Sequence, residues 1–211
     1  MKKFGFILAV AVLFVACGGN DKKPKAEMST AGTLNGHEWV DLGLSVKWAT
    51  YNVGATSPED YGSYYAWGET STNGSYTNSK TDGKKMSDIS GSKEYDAATA
   101  NWGKGWRMPT VEEFDEILNK DNCIWTWTNR NGVNGYEVKS KKNGNSIFLP
   151  AADLYMNGSK CGSGFCGCYW SSTPCDTDSA YDLYFEYLDD GIRCTGESSR
   201  GCWLSVRPVA E

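Results

Sequence analysis

The chain has 211 residues, 40% of them apolar, a formal charge of −5 and a single histidine; without a leader this length suits one domain with a real core. An acidic balance with no basic stripe argues against a nucleic-acid partner. Nine tryptophans, twelve tyrosines and 24 glycines favour short strands and loops over long helices.

The N-terminus reads MKKFGFILAVAVLFVACGGND. Lys2 and Lys3 precede an apolar run from Phe4 to Ala16, the layout of a secretory signal and too short to span a bilayer comfortably. The run ends in FVAC, which resembles a bacterial lipobox, so residues 1–16 are expected to be cleaved and Cys17 acylated. Gly18 follows where enteric inner-membrane lipoproteins carry Asp, which favours the outer membrane, facing the cell surface. Residues 18–33 are polar and rich in Gly, Lys, Ser and Thr, a tether unable to bury enough to order itself. The domain is then residues 34–211.

HEWVDLGLSVKWATYNVG alternates as two short strands broken at Gly43, and PEDYGSYYAWGET reads as aromatic loop or strand. Residues 70–92 read as an exposed loop. Asp96 is placed to cap a short helix through Asn101 that Gly103 ends. Thr110 and Glu113 form a capping box, followed by an apolar face of Val111, Phe114, Ile117 and Leu118. GYEVKSKKNGNSIFLPA is a hairpin turning at Asn143-Gly144. Residues 169–172 form a short strand, AYDLYFEYL alternates as another, and Leu204 to Val209 closes the chain as a last strand. Residues 161–168 and 189–202 read as loops. Two short helices, many short strands and long loops make an α+β domain.

Several motifs recur in a fixed order: WVDLGLSVKWATYNVGA, YGSYYAWGET, YDAATANWGKGWRMPTVEEF, GVNGYEVKSKKNGNSIFLPAA, YWSSTP and LSVRPV. Over about residues 36–209 this set resembles the Fibrobacter succinogenes major paralogous domain family, abundant in Bacteroides-type lipoproteins. The resemblance implies a C-type-lectin-like fold, akin to the formylglycine-generating-enzyme branch. A small twisted antiparallel sheet framed by two helices is expected, with the last strands and their loops as the ligand face. The landmarks Trp106, Arg107, Pro109, Thr110, Trp170, Ser171, Ser172 and Arg207 are read as scaffold rather than site. Relatives often carry Cys where this chain has Tyr51; if that Cys pairs with Cys123 in them, Cys123 lacks a partner here. The calcium-dependent sugar tripeptides are absent.

Once Cys17 is acylated, seven of eight cysteines remain, and six follow Lys160. The envelope permits disulfides, but seven is odd. Zinc fits poorly, because C-x4-C-x-C-x6-C is not paired ligand spacing and His37 is far away; no metal and no cofactor are expected. Disulfides remain open, though Cys166 and Cys168 are too close in sequence for an easy mutual bond. A third reading rests on composition, since no Lys follows Lys160 and no Asn follows Asn157. In some proteins of the lectin-like class, retroelements diversify a C-terminal region by mutating adenines. An asparagine codon so altered yields Cys, Gly, Ser, Asp, Tyr, Arg, Thr or Phe, never Lys, Glu, Gln, Met or Trp. Within a variable-type region of about 161–203, Phe165, Cys166, Cys168, Cys175, Asp178, Ser179, Asp182, Tyr184, Tyr187, Asp189, Cys194, Gly196, Ser198 and Cys202 fit this output. Glu186, Glu197 and Trp203 do not.

These residues form the candidate ligand face, since Tyr, Asp, Ser and Gly on loops suit recognition. Strand alternation predicts Asp182 and Tyr184 exposed, opposite Leu183 and Phe185. Tyr187 can join them only if its strand ends or bulges near Glu186. The resulting expectation is a lipid-anchored envelope binding protein, not an enzyme, whose partner is an unidentified protein or glycan, basic or polyhydroxyl. The alternatives are a structural or fimbrial component and a formylglycine-type oxidoreductase. The last needs reactive thiols such as Cys194 and Cys202, with no nearby His or Lys to activate them.

Overall fold

A computed structural model describes residues 30–72, 78–187 and 192–211. Cys17 and Asp189, both singled out above, lie outside them. Strand accounts for 43% and helix for 8% of the described residues, which corrects the α+β, C-type-lectin-like expectation. The fold is β-rich with curled sheets. Much of the difference lies where loops were expected, because residues 159–161, 166–168 and 192–199 are strand.

Asn-Gly turns explain several of these strands. Strands β1 (Ala31–Leu34) and β2 (His37–Asp41) pair across Asn35-Gly36, whose φ values of 50° and 83° match a type I′ turn. Strand β1 therefore overlaps the expected tether. Asn131-Gly132 likewise joins β6 (Cys123–Arg130) to β7 (Val133–Ser140). Asn157-Gly158 joins β9 (Leu154–Met156) to β10 (Ser159–Cys161).

The remaining strands are β3 (Lys47–Ala49), β4 (Tyr64–Ala66), β5 (Trp106–Arg107), β8 (Ser146–Pro150), β11 (Cys166–Pro174), β12 (Ser179–Glu186), β13 (Ile192–Ser199), β14 (Trp203–Ser205) and β15 (Val209–Ala210). The expected closing strand is thus two strands, split at Pro208, which has no N–H to donate. One sheet runs β1-β2-β3-β15-β5 and joins the first and last described strands. A second runs β10-β9-β14-β11-β12-β13, with β4 also on β14, and β6-β7-β8 form the third.

Both helices start and stop as their caps dictate. Asp96 accepts from the Ala98 and Thr99 amides at the start of α1 (Ala97–Trp102), and Gly103 closes it. Thr110 and Glu113 form the capping box of α2 (Val111–Leu118). Glu113 also holds Arg107 through two bonds of 2.9 and 2.6 Å.

The β11–β12 ribbon separates two cores. Its odd-numbered side chains, Tyr169, Leu183 and Phe185, pack with Trp48, Phe114 and Ile117. Its even-numbered ones, Cys168, Trp170 and Ala180, pack with Trp67, Trp102, Trp106 and Leu204. Landmarks Trp106 and Trp170 are both buried, and the Trp170 indole donates to Tyr65 O at 2.7 Å. Tyr51 borders one core and Cys123 sits in the other, so a bridge joining those two positions does not suit this packing.

Two buried arginines act as staples. Arg207 donates to Asn52 Oδ1 and to the carbonyls of Ala49, Thr50 and Phe148. Burial lowers its pKa to about 10. Arg200 reaches the carbonyls of Ser179, Thr81, Lys84 and Asp176, and its guanidinium lies 4.4 Å from the Trp67 ring centroid. It ties the segment around residue 81 to the β11–β12 turn.

Candidate ligand-binding face

The expected site residues divide into three groups along the ribbon. Antiparallel register sets Cys168 beside Tyr184 and Tyr184 beside Cys194, with Asp182 beside Gly196 in the next row of that face. Cys166 and Ser198 share the same parity. This middle group is therefore one face, but much of it is covered. Cys168, Asp182 and Cys202 are buried, which corrects their assignment to an exposed contact surface. β12 is a central strand with a core on each side, so its alternation separates two interiors rather than inside from outside. Tyr184 and Ser198 are half-buried and Cys194 is exposed.

The chemistry of this middle group is that of neutral thiols. Cys168 lies well above the usual thiol range, through its contact with Cys166, burial and the nearby Asp182 carboxyl. Burial and then Asp182 also raise Cys194 and Cys202. Thiols held protonated are poor nucleophiles and poor metal ligands. Among the described residues no cluster of three or more Cys, His, Asp or Glu is placed to hold a metal, and the seven described cysteines form no disulfide. Asp182 itself is pushed up to about 6 by burial. Its Oδ2 accepts from Ser198 at 2.9 Å, whereas Oδ1 is buried without a hydrogen-bond partner.

Cys175, Asp178 and Ser179 form a second group at the β11–β12 turn. Asp178 is exposed, and its Oδ1 accepts the Gly83 amide at 3.1 Å. Asp176 Oδ1 accepts the amides of Asp178 and Ser179 and the Ser179 hydroxyl. The Ser179 hydroxyl is thus spent on the turn, and Asp178 on tying the turn to Gly83.

Phe165 and Tyr187 form the third group, at the opposite end of β12. The strand ends at Glu186, as Tyr187's placement required, and Tyr187 is 49% exposed beside Phe165 at 45%. The Tyr187 amide donates to Phe165 O at 2.8 Å. Tyr187 lies parallel to Trp127 of β6, with centroids 4.7 Å apart and planes 17° apart. Trp127 meets Tyr136 edge-on at 5.0 Å, an arrangement aromatic pairs favour.

Two further hydrogen bonds close these residues into a ring. Asn129 stands two residues beyond Trp127 on the same side of β6, opposite Asn134 of β7, and donates to Asn134 Oδ1 at 2.8 Å. Asn134 Nδ2 donates to Gly164 O at 3.3 Å, and Gly164 adjoins Phe165. Buried Asp153 fixes that loop, accepting the Gly164 amide at 3.0 Å and the Cys166 thiol at 3.3 Å and pairing with Lys160 at 3.1 Å. Gly162 must lack a side chain, since its Cβ would stand 2.2 Å from Asp153 Oδ1.

Trp127, Asn129 and Asn134 were not anticipated as site residues. Their signal is present in CIWTWTNRNGVNGYEV, where Trp125, Trp127 and Asn129 alternate into an Asn-Gly turn. Two open cavities lie away from this ring. One, of about 350 Å³, is bordered by Leu34, Trp106, Arg107 and Glu211; the other, of about 470 Å³, by His37, Tyr65, Asn101 and Trp102. No protein-family model, curated protein or solved structure matches the chain.

Proposed function

We propose that this chain is a binding module of a bacterial envelope, held to the outer membrane through acylated Cys17 and contacting its ligand through the Phe165–Tyr187–Trp127 end of the β12 ribbon. The observation that carries this reading is that Phe165 and Tyr187, joined by a backbone hydrogen bond, are each left about half exposed beside a loop fixed by Asp153. Exposed aromatic clusters on a rigid support mark contact surfaces. Aromatic rings supply area at low entropic cost. An enzymatic reading has less support, because the thiols whose pKa values shift are held protonated rather than activated.

The test is ligand capture by the full mature chain carrying Cys17→Ser, screened against glycan and protein arrays, with a Phe165→Ala/Tyr187→Ala partner as control. Binding by the first and not the second, at equal melting temperature, supports the reading. Equal binding by both removes it.

A further inference from the structure

We propose that the ring formed by Trp127, Tyr187, Phe165, Asn134 and Asn129 is a subsite for an uncharged sugar ring, bound without a metal ion. The inference rests on the binding-face reading above and names the ligand class of that same surface.

Three features select this chemistry. The first is the platform. The outer face of Tyr187 is exposed, its inner face is backed by Trp127, and Phe165 stands alongside. The C–H face of a pyranose stacks on an exposed aromatic plane, and the polarised C–H groups meet the ring's negative face. The backing indole keeps Tyr187 from folding away when the site is empty, so little ordering is left for binding to cost.

The second feature is the amide pair. A side-chain amide offers two N–H donors and two acceptor lone pairs. Asn129 uses one donor on Asn134 and one lone pair on the Gly132 amide. Asn134 uses one donor on Gly164 O and one lone pair on Asn129. Each keeps a donor and an acceptor, and their mutual bond fixes both orientations. Adjacent sugar hydroxyls, each both donor and acceptor, match such a pair.

The third feature is charge. No ring member carries a carboxyl, amine, guanidinium or imidazole group. Among the described residues, the charged groups around the ring are engaged elsewhere. Arg130 pairs with Glu59 at 3.8 Å, Lys160 with Asp153, and Glu186 accepts from the Tyr184 hydroxyl at 2.7 Å. A charged peptide would find no complementary partner in the ring, whereas a neutral polyhydroxyl ligand needs none. The expectation that Asp182, Asp189 and Asp190 draw a basic or polyhydroxyl partner loses Asp182, which is buried; Asp189 and Asp190 lie outside the described residues.

The experiment uses the full mature chain with Cys17→Ser and a panel of neutral gluco-, manno-, galacto- and xylo-oligosaccharides beside uronate-containing ones. Binding is followed by calorimetry and by intrinsic tryptophan fluorescence. At least one neutral oligosaccharide is expected to bind and to perturb tryptophan emission. Tyr187→Ala should weaken it about tenfold or more, the cost of losing a central aromatic contact. Trp127→Phe should weaken it less, since a smaller ring still backs Tyr187. EDTA should leave binding unchanged, and so should raising salt from about 0.1 M to about 1 M. Binding of uronates alone, loss with EDTA, or unaltered affinity in Tyr187→Ala overturns the inference. If a protein ligand binds instead and Tyr187→Ala abolishes it, the sugar subsite is wrong while the binding face stands. If no ligand of either class responds to Tyr187→Ala, both fall.

Discussion

Replacing Asp182 by Asn should make the protein more stable at neutral pH and leave it nearly unchanged in acid. Asp182 is 2% exposed, with Ser198 on one carboxyl oxygen and no hydrogen-bond partner on the other. The amides of Asp182 and Gly196 favour the ionised form, but burial outweighs them and moves the pKa from 3.8 to about 6. The sign follows from proton binding. Below the unfolded value both states hold the proton, and the group is neutral in each. Between about pH 4 and about pH 6 the unfolded chain releases its proton first, so stability falls as pH rises; above the folded value the loss is complete. A shift of about two pH units at ~1.4 kcal/mol each makes that loss about 3 kcal/mol. Asn keeps the shape and the acceptor for Ser198 but cannot ionise. Urea denaturation of both proteins from pH 4 to pH 8 isolates the effect, because every other titration cancels in the difference. The stability difference should grow by about 3 kcal/mol up to pH 6 to 7 and then level off. A difference independent of pH would show that the carboxyl is hydrated and the assigned burial is wrong.

Trp170→Ala should cost about 3–5 kcal/mol as a large-to-small core change, and orphaning the Tyr65 carbonyl adds to it; an unmoved melting temperature would refute the packing. Arg200→Met removes the donors of four carbonyls and should cost about 2–3 kcal/mol, with early proteolytic nicking near residues 78–86 as its readout. Cys17→Ser should move the protein out of the membrane fraction; unchanged partition would show a different anchor.

What the sequence made legible was mainly local. Asp96, Thr110 and Glu113 cap their helices because capping chemistry spans only a few residues. The Asn143-Gly144 hairpin and the core parity of Leu183 and Phe185 are equally short-range. The Asn-Gly pairs at 35–36, 131–132 and 157–158 carry the same signal and account for β1, β6, β9 and β10, where no strand was expected. β13 was illegible for another reason. Its residues IRCTGESS show little apolar alternation, because an edge strand takes its place from the neighbour it pairs with rather than from its own pattern. The burial of Asp182 was likewise beyond local reading. Alternation says which residues share a face, and only the second core, built from residues as distant as Trp67 and Trp106, says that this face too is covered.

The same geometry separates which variable-type positions are free to vary. A process that samples Cys, Ser, Gly, Asp, Tyr and Phe at fixed positions alters recognition only where the side chain reaches solvent. Phe165, Asp178, Tyr187 and Cys194 do so. Cys168, Asp182 and Cys202 are enclosed, where a change of even one methylene is felt. Gly167 and Gly196 are tighter still: a Cβ at the first would meet Phe185 at 2.2 Å, and at the second Asp182 Oδ1 at 2.4 Å. Saturation mutagenesis read by surface display should therefore accept most residues at Phe165, Tyr187 and Cys194, with stability effects within about 0.5 kcal/mol. At Cys168, Asp182, Cys202, Gly167 and Gly196 it should accept only small or near-isosteric replacements. If the enclosed positions proved as permissive as the exposed ones, the even face of the ribbon would have to be open to solvent, and the proposed recognition surface would then extend across the whole strand instead of ending at the Tyr187 ring.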